Sequence, residues 1–277
     1  MSLYISSLNS GSNGNCYYVG NDNEAVLVDA GISCREVERR MNRLGLHIHK
    51  VKAIFVSHEH SDHIKGICTL VKKYSIPVYM TDRTHIACGF TLERHLVQSF
   101  HPNEPIVIGD LTITAFTKMH DACDPHSFVI SCGKINVGVF TDIGTPCKNL
   151  IKHFKQCHAA FLEANFHEEM LHSGNYPYHL KKRISGGNGH LSNRQALELF
   201  TQYKPSFMSH LLLSHLSKNN NCPELVQQLF DQHANGVKMI VASRYAETEV
   251  YYVTTPGKEN LKKNYKTSSA QLTFSFA

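Results

Sequence analysis

Short apolar runs separated by polar turns dominate the first third of the chain. Such runs, bounded by Asn, Gly and charged residues, predict β-strands, whereas longer amphipathic stretches predict helices. The run Asn9 to Asn15 contains Asn13-Gly14, a dipeptide typical of a tight turn between two strands. The predicted strands are 3–8, 16–19, 25–29, 52–57 and 77–80, and the predicted helices are 35–44 and 64–74.

The remainder of the chain carries further strand patterns with helices between them. The predicted strands are 105–108, 111–116, 128–131, 135–140, 159–162, 210–213 and 237–241, and the predicted helices are 166–171, 194–203 and 223–233. Two β-rich halves interleaved with helices predict an α/β protein with a four-layer α/β/β/α sandwich. We expect one domain over 1–257 and a polar, lysine-rich C-terminal tail over 258–277.

Composition narrows the class of protein. The chain has nine cysteines, an odd number without a C-x-x-C pair, which argues against a disulfide framework and a cysteine-based zinc module. We therefore expect a reducing cytoplasm. No apolar run is long enough to cross a bilayer, so no membrane association is expected. The net charge of +5 is compatible with an anionic partner such as nucleic acid.

Histidine is the most conspicuous residue type, with 19 copies. His58, His60, Asp62 and His63 lie close together, directly after the predicted strand 52–57. Imidazole and carboxylate groups together suit zinc, manganese or iron. A solvated polar loop with chance histidines is the alternative. The density of ligand types after an apolar strand favours a metal site.

The run His58-x-His60-x-Asp62-His63 resembles the signature of the metallo-β-lactamase superfamily. The other motifs of that superfamily follow in the expected order, over roughly residues 3 to 252: Asp29 in Leu27-Val28-Asp29-Ala30-Gly31, His120 in Lys118-Met119-His120-Asp121, Asp142 in Phe140-Thr141-Asp142-Ile143-Gly144, and His215 in Leu213-Ser214-His215-Leu216-Ser217. Singly, each of these residues would be unremarkable, so the indication comes from the set.

The resemblance implies two divalent metal ions. One would be held by His58, His60, His120 and Asp142, and the second by Asp62, His63, Asp142 and His215. Asp62 would also orient the attacking water, and Asp29 would orient a ligand. Flavodiiron relatives carry a glutamate where this chain has His60, so His60 favours a hydrolytic site over a redox site.

Three further segments are similar to the YycJ/WalJ group of the superfamily, which implies a 5′→3′ exonuclease that acts on DNA. They are Ser7 to Asn15, the stretch from Leu162-Glu163-Ala164-Asn165 to Ile184, and Gly189-His190-Leu191-Ser192-Asn193 with the later Asn220-Asn221. By comparison with related nucleases, His190 would contact the scissile phosphate or protonate the leaving oxygen.

The residues after His190 carry a signal of their own. Ser192 and Gln195 form an S-x-x-Q pattern, which predicts a capped helix start. A helix N-terminus suits a phosphate, so Ser192 and Asn193 are predicted substrate contacts. An ordinary capped helix is the alternative. Lys182, within Lys181-Lys182-Arg183, is a further predicted substrate contact, although three basic residues more often form a solvated face.

Two other functions stay open from the sequence. A small-substrate phosphodiesterase or thioesterase would share the same metal ligands, because the fold hosts several hydrolytic chemistries. A non-catalytic regulator that binds metal is the second alternative, although an open two-metal site is not needed for binding alone.

Overall fold

The computed structural model describes residues 2–89 and 91–255, so the predicted tail 258–277 lies outside the described residues. The elements up to residue 140 are β1 (Leu3–Asn9), β2 (Cys16–Gly20), β3 (Ala25–Val28), α1 (Cys34–Arg43), β4 (Val51–Phe55), α2 (Ser61–Ile64), α3 (Ile67–Tyr74), β5 (Val78–Met80), α4 (Asp82–Cys88), β6 (Val97–Ser99), β7 (Pro105–Ile108), β8 (Leu111–Thr117), β9 (His126–Cys132) and β10 (Ile135–Phe140). The later elements are α5 (Lys148–Phe154), β11 (Ala159–Glu163), α6 (Glu168–Ser173), α7 (Tyr178–Ser185), α8 (Asn193–Tyr203), β12 (His210–Ser214), α9 (Pro223–Asp231), β13 (Lys238–Val241) and β14 (Tyr251–Val253).

The strands form two mixed sheets. The first has the order β14-β1-β2-β3-β4-β5-β6, and the second has the order β13-β12-β11-β10-β9-β8-β7. Strands β3 to β6 run parallel in the first sheet, and β10 to β13 run parallel in the second. Each sheet therefore joins a parallel half to an antiparallel half.

Alternation along the strands divides the interior into three apolar layers. In β1, Leu3 and Ile5 face the other sheet, while Tyr4 and Leu8 face the helices on the outer side. The layer between the sheets combines residues such as Phe55 of the first sheet with Phe161 of the second. The outer layers pack α1 and α3 on one sheet, and α5, α8 and α9 on the other. The predicted four-layer α/β/β/α sandwich is confirmed.

The strand ends explain where a site can form. Strands β3, β4, β8, β10, β11 and β12 point the same way within their sheets, so the segments that follow them emerge at one edge. Ligands of α/β proteins bind at this carboxyl edge, because loops from several strands converge there. The segments after these strands contain every predicted metal ligand.

Tertiary contacts change several predicted elements. The predicted helix 64–74 is two helices, α2 and α3, interrupted at Gly66, whose N–H donates to Ala30 O at 2.7 Å. A Cβ at Gly66 would lie 2.0 Å from Ile32 O, so the backbones approach too closely for any other residue. The predicted helix 166–171 begins later, as α6. The sequence patterns did not predict α4, α5, α7, β6 and β14.

The state of the cysteines and the character of the helices are two further features of the fold. The nine cysteines are all free, and they include five that are not fully buried. In the described part of the chain, no helix combines the length and the apolar character that a membrane span requires.

Candidate metal centre

The loop after β4 supplies the densest part of the site. His58 and His63 are completely buried, and His58 Nε2 lies 3.0 Å from His60 Nδ1. His60 is the N-cap residue of α2, and the short helix then presents Asp62 and His63 on its first turn. A strand end followed by one helical turn therefore directs four potential ligands into the same space.

The predicted ligands converge from both sheets. Among the described residues, potential ligand atoms form groups within which all atoms lie within 4.8 Å of one another. The groups are His58 with His60 and His120; Asp62 with His63 and His215; His58 with His63 and Asp142; and Asp142 with Glu163, His190 and His215. Each of the seven predicted metal ligands belongs to at least one group. The structure therefore brings together residues that are separated by more than half of the chain.

Asp142 lies between the two groups that the sequence assigns to separate ions. Its Oδ2 is 3.2 Å from His63 Nε2, and its Oδ1 is 3.5 Å from His215 Nε2. The same Oδ1 is 3.8 Å from His120 Nε2, which belongs to the other group. A carboxylate in this position can reach both groups, as a bridging ligand requires.

The chemistry of the donor atoms fits a divalent cation. His120 Nε2, His215 Nε2 and Asp142 Oδ2 are buried and have no hydrogen-bond partner among the described residues. Unpaired buried polar atoms cost free energy and are rare in folded proteins. These three atoms belong to residues of the ligand groups described above. They are nitrogen and oxygen donors of the types that zinc, manganese and iron prefer. A bound metal ion would satisfy them.

The electrostatics of the two ligand groups differ. Burial lowers the pKa of His58, and burial also lowers that of His120, to about 4, so these rings are neutral at pH 7. Burial works in the same direction on His63 and His215, but there the carboxylates prevail. Asp142, Asp29 and Asp62 raise the pKa of His63 well above its usual value, and Asp142, Asp62 and Glu163 raise that of His215 to about 10.

Asp29 supports the ligands from beneath. It is completely buried, and its Oδ1 accepts a hydrogen bond from Ser57 N at 2.8 Å. Its Oδ2 accepts from Ser57 Oγ at 2.8 Å and lies 2.7 Å from His63 Nδ1. The other ring nitrogen of His63, Nε2, lies 3.2 Å from Asp142 Oδ2, so Asp29 contacts this ring on the side away from Asp142.

Three residues of the site have left-handed backbone conformations. Asp29, Asp142 and His215 have φ values of 60°, 54° and 57°. Each lies just beyond the end of a parallel strand, where the chain must turn sharply. Non-glycine residues adopt this region at a cost, and such strain is concentrated at functional sites.

Glu163 is a site residue that the sequence reasoning did not assign. It ends β11 completely buried, and its Oε1 lies 2.8 Å from His190 Nδ1 and 2.9 Å from His215 Nδ1. Its Oε2 accepts from Ile143 N at 2.8 Å and from Leu191 N at 3.0 Å. Burial would raise its pKa, but His190 and His215 hold it at about 2. The available signal was a carboxylate directly after the apolar predicted strand 159–162.

His190 lies at the rim of the ligand cluster. Its side chain is 19% exposed, and its Nδ1 is 3.8 Å from Asp142 Oδ1. The loop before it is tied back to α7, because His190 N donates to Ile184 O at 2.8 Å. Glu163 occupies Nδ1, and Nε2 makes no hydrogen bond within the described residues. The structure therefore leaves Nε2 available to a substrate.

The three predicted substrate contacts have different positions. The capping box is confirmed: Ser192 Oγ accepts from Gln195 N, and the Gln195 side chain accepts from Ser192 N. Ser192 and Asn193 are nevertheless buried, and Asn193 Nδ2 donates to Asn221 Oδ1 at 2.9 Å. Their role as substrate contacts thus lacks support from the geometry, because their side chains are already used inside the protein.

Lys182 is placed differently. It is exposed on α7 and lines a cavity of about 620 Å³ between α6 and α7. Lys181 and Tyr178 line the same cavity, and Tyr178 is strongly exposed. On the next residue, Arg183 pairs with Asp121, the neighbour of His120. The basic face of α7 therefore adjoins the ligand cluster.

Comparison with known proteins agrees with this architecture. Residues 24–215 match the family described as "Beta-lactamase superfamily domain". The chain is 34% identical to Exodeoxyribonuclease YycJ of Bacillus anthracis, over 86% of this chain and 92% of that protein. It is 32% identical to Exodeoxyribonuclease WalJ of Streptococcus pneumoniae, over 79% of this chain and 83% of that protein.

Solved structures show the same fold. The metallo-β-lactamase fold protein YhfI from Bacillus subtilis superimposes with a TM-score of 0.70 at 16% identity, covering 91% of this chain and all of YhfI. The short form of human tRNase Z gives a TM-score of 0.62 at 13% identity, covering 90% of this chain and 99% of the human protein. The chain therefore belongs to the beta-lactamase superfamily and has the metallo-β-lactamase fold.

Proposed function

We propose that this protein is a metal-dependent exodeoxyribonuclease that hydrolyses DNA from the 5′ end. The observation that carries the proposal is the position of His190, which Glu163 holds at the rim of the ligand cluster with Nε2 free. The names of the YycJ and WalJ relatives support it, because both are exodeoxyribonucleases that match most of this chain. The free cysteines fit a cytoplasmic location.

Two divalent ions are the proposed cofactors. One would be held by His58, His60, His120 and Asp142, and the other by Asp62, His63, Asp142 and His215. Such ions would supply a water nucleophile at neutral pH and offset negative charge on the phosphate. Zinc, manganese and iron are all compatible with this ligand set, because it contains no thiolate.

Asp62 is the proposed positioning group for the attacking water. Its Oδ2 lies 3.5 Å from His63 Nε2 and 3.5 Å from His215 Nε2, and its side chain remains 19% exposed. Asn15 Nδ2 donates to the same oxygen at 3.1 Å, which fixes the carboxylate. Asp62 can thus accept a hydrogen bond from a water at the floor of the site and hold it toward the phosphorus.

His190 is the proposed proton donor to the departing 3′ oxygen. The buried Glu163 carboxylate contacts Nδ1 and fixes the ring, which leaves Nε2 free to donate a proton to a substrate oxygen. The same glutamate holds His215, so one side chain couples the position of the acid to the position of a metal ligand. Any shift of Glu163 would disturb both.

The surroundings of the cluster favour a polymer over a small substrate. The cavity beside α7 is lined by Lys181 and Lys182 as well as Glu168, and a second cavity near His215 is lined by Lys218 and Arg244. The lysines and the arginine of these two cavities offer contacts for the phosphates of a DNA strand. A thioesterase or cyclic-nucleotide phosphodiesterase would instead need one enclosed pocket that excludes a long strand.

Product analysis tests the proposal. Duplex DNA labelled at the 5′ or the 3′ end is incubated with manganese- or zinc-loaded protein, and the products are resolved by length. The proposal expects mononucleotide release from the 5′ end and none in a double Asp62→Ala, His63→Ala variant. A matched double variant, Asp231→Ala with His233→Ala, changes exposed residues at the end of α9 and should retain activity. Intact DNA together with hydrolysis of a thioester or a cyclic nucleotide would overturn the proposal.

A further inference from the structure

A small cavity beside the ligand cluster is rich in positive charge. Its volume is about 200 Å³, and the residues that shape it include Leu216, Lys218, Val241, Arg244 and Tyr245. No aspartate or glutamate is among the described residues that line it. A concave site with two cations and no carboxylate favours an anion.

The cavity shares a wall with the metal centre. Ser10, which also lines it, accepts a hydrogen bond at Oγ from the backbone N–H of His215 at 2.7 Å. Leu216 directly follows His215 in the chain. Ser10 N donates to Ser243 O at 3.2 Å, which ties the loop after β13 to the same wall. A group bound in this cavity would therefore lie next to a residue of the metal cluster.

Arg244 is the clearest sign of a missing acceptor. Its Nη1 is buried and has no hydrogen-bond partner among the described residues. The backbone at this position is held in place, because Asn13 Nδ2 donates to Arg244 O at 2.8 Å. Lys218 lines the same cavity, and the described lining residues include no carboxylate. A buried guanidinium nitrogen without an acceptor is costly, and arginine is well suited to phosphate oxygens.

We propose that this cavity, the Arg244 pocket, binds the 5′-terminal phosphate of the DNA strand whose first internal phosphate lies at the metal centre. The inference rests on the proposed function and deepens it. A terminal phosphomonoester carries about −1.5 to −2 charges at neutral pH, more than an internal diester, so it matches two cations better. The apolar side chains of Leu216, Val241 and Tyr245 would contact the attached sugar and base.

The pocket also accounts for exonucleolytic cleavage. When the strand end is held at a fixed position beside His215, the next phosphodiester along the strand is the one presented to the cluster. Cleavage would then release one terminal nucleotide at a time. An internal stretch of DNA lacks the terminal group and would gain no binding from Arg244.

Binding without metal tests the assignment separately from hydrolysis. Fluorescence anisotropy in EDTA would compare one oligonucleotide in three forms: with a 5′ phosphate, with a 3′ phosphate, and with neither. The wild type is expected to bind the 5′-phosphorylated form about tenfold more tightly, the size of a charge-assisted contact. Arg244→Gln is expected to reduce this binding to the level of the unphosphorylated strand. Lys218→Gln, a change at an exposed position, should reduce it partly.

The matched control is Arg94→Gln, an exposed arginine just before β6 at the far edge of the first sheet, which should keep the preference. Equal binding of the three oligonucleotides, a preference for the 3′ phosphate, or equal weakening of all three by Arg244→Gln would overturn the assignment. Failure of the two proposals can be told apart. A 5′-phosphate preference without DNA hydrolysis would leave the pocket and remove the nuclease, whereas hydrolysis indifferent to the 5′ phosphate would do the reverse.

Discussion

Glu163 lies completely buried behind His190, and the two are joined by a contact of 2.8 Å between Oε1 and Nδ1. The same oxygen also lies 2.9 Å from His215 Nδ1. One carboxylate at the end of β11 therefore positions both a predicted metal ligand and the proposed acid.

Glu163→Gln should impair both functions of this carboxylate. The two oxygens contact two imidazole rings and accept from two backbone N–H groups, whereas a glutamine offers only one acceptor oxygen. We expect kcat for DNA to fall about 100-fold and metal affinity to fall about 10- to 100-fold. Kinetics at saturating metal separate the two effects. Glu198→Gln, on the exposed face of α8, is the control and should change neither.

Metal binding should release protons at one ligand group and not at the other. Near pH 7 the raised pKa values of His63 and His215 leave both rings protonated without metal, whereas His58 and His120 are already neutral. A metal needs neutral rings, so affinity at the Asp62, His63 and His215 group should rise with pH through the neutral range. Affinity at the other group should change little.

Isothermal titration calorimetry in two buffers of different ionisation enthalpy measures these protons. The expected result is two classes of site, of which only one shows a buffer-dependent enthalpy and tightens as pH increases. Two classes with the same proton release would contradict the assignment of charge to the ligand groups.

Removal of metal by a chelator should also lower Tm, because ligands that bind only the folded state stabilise it.

Asp29→Asn should weaken the metal centre without removing any direct ligand. The substitution keeps the size of the side chain but replaces one of the oxygens that contact Ser57 and His63. We expect metal affinity to fall about 10- to 100-fold, with activity recovered at high metal concentration. Asp110→Asn, at a position in the turn between β7 and β8, serves as the control. Unchanged metal affinity would show that Asp29 does not orient His63.

Gly31→Ala should disturb the site through the backbone. A Cβ at this position would lie 1.7 Å from Asp62 O, and Gly31 N already donates to Asn15 O at 2.8 Å. The loop that carries Asp62 would have to move, so we expect loss of metal binding and a clear fall in Tm. Gly236→Ala is the comparison: its φ is +85° but no atom lies within 4 Å of the added Cβ. It should cost only the strain of the left-handed conformation, about 1–2 kcal/mol.

The predicted ligands could be recognised in the sequence because their signal is local. His58 to His63 are adjacent in the chain, and the remaining ligands follow recognisable strand ends. Glu163 could not be assigned a role in this way. Its contacts depend on the pairing of β11 with β12 and on the loop before His190, neither of which leaves a pattern in one segment. Strand β14 was missed for a similar reason, because it forms only by pairing with β1 at the other end of the chain.

Ser192 and Asn193 show that a local pattern can predict a structural element without predicting its exposure to solvent. The capping pattern correctly predicted the start of α8, but it could not show whether that helix start faces solvent. Phe166 forms a bridge with Ser192, and Asn221 bonds with Asn193, so the helix start is covered by other parts of the protein. Local chemistry predicts a local structure, whereas exposure is decided by the tertiary fold.

Comparison of two leaving groups in His190→Gln tests directly whether this histidine is the acid. A DNA 3′ oxygen needs a proton as it departs, whereas p-nitrophenolate does not. If His190 is the acid, kcat for DNA should fall about 10²- to 10⁴-fold, while hydrolysis of a p-nitrophenyl phosphodiester of thymidine should fall less than about tenfold because its leaving group needs no acid. Equal losses on both substrates, with metal content unchanged, would contradict the proposed role of His190 and the mechanism built on it.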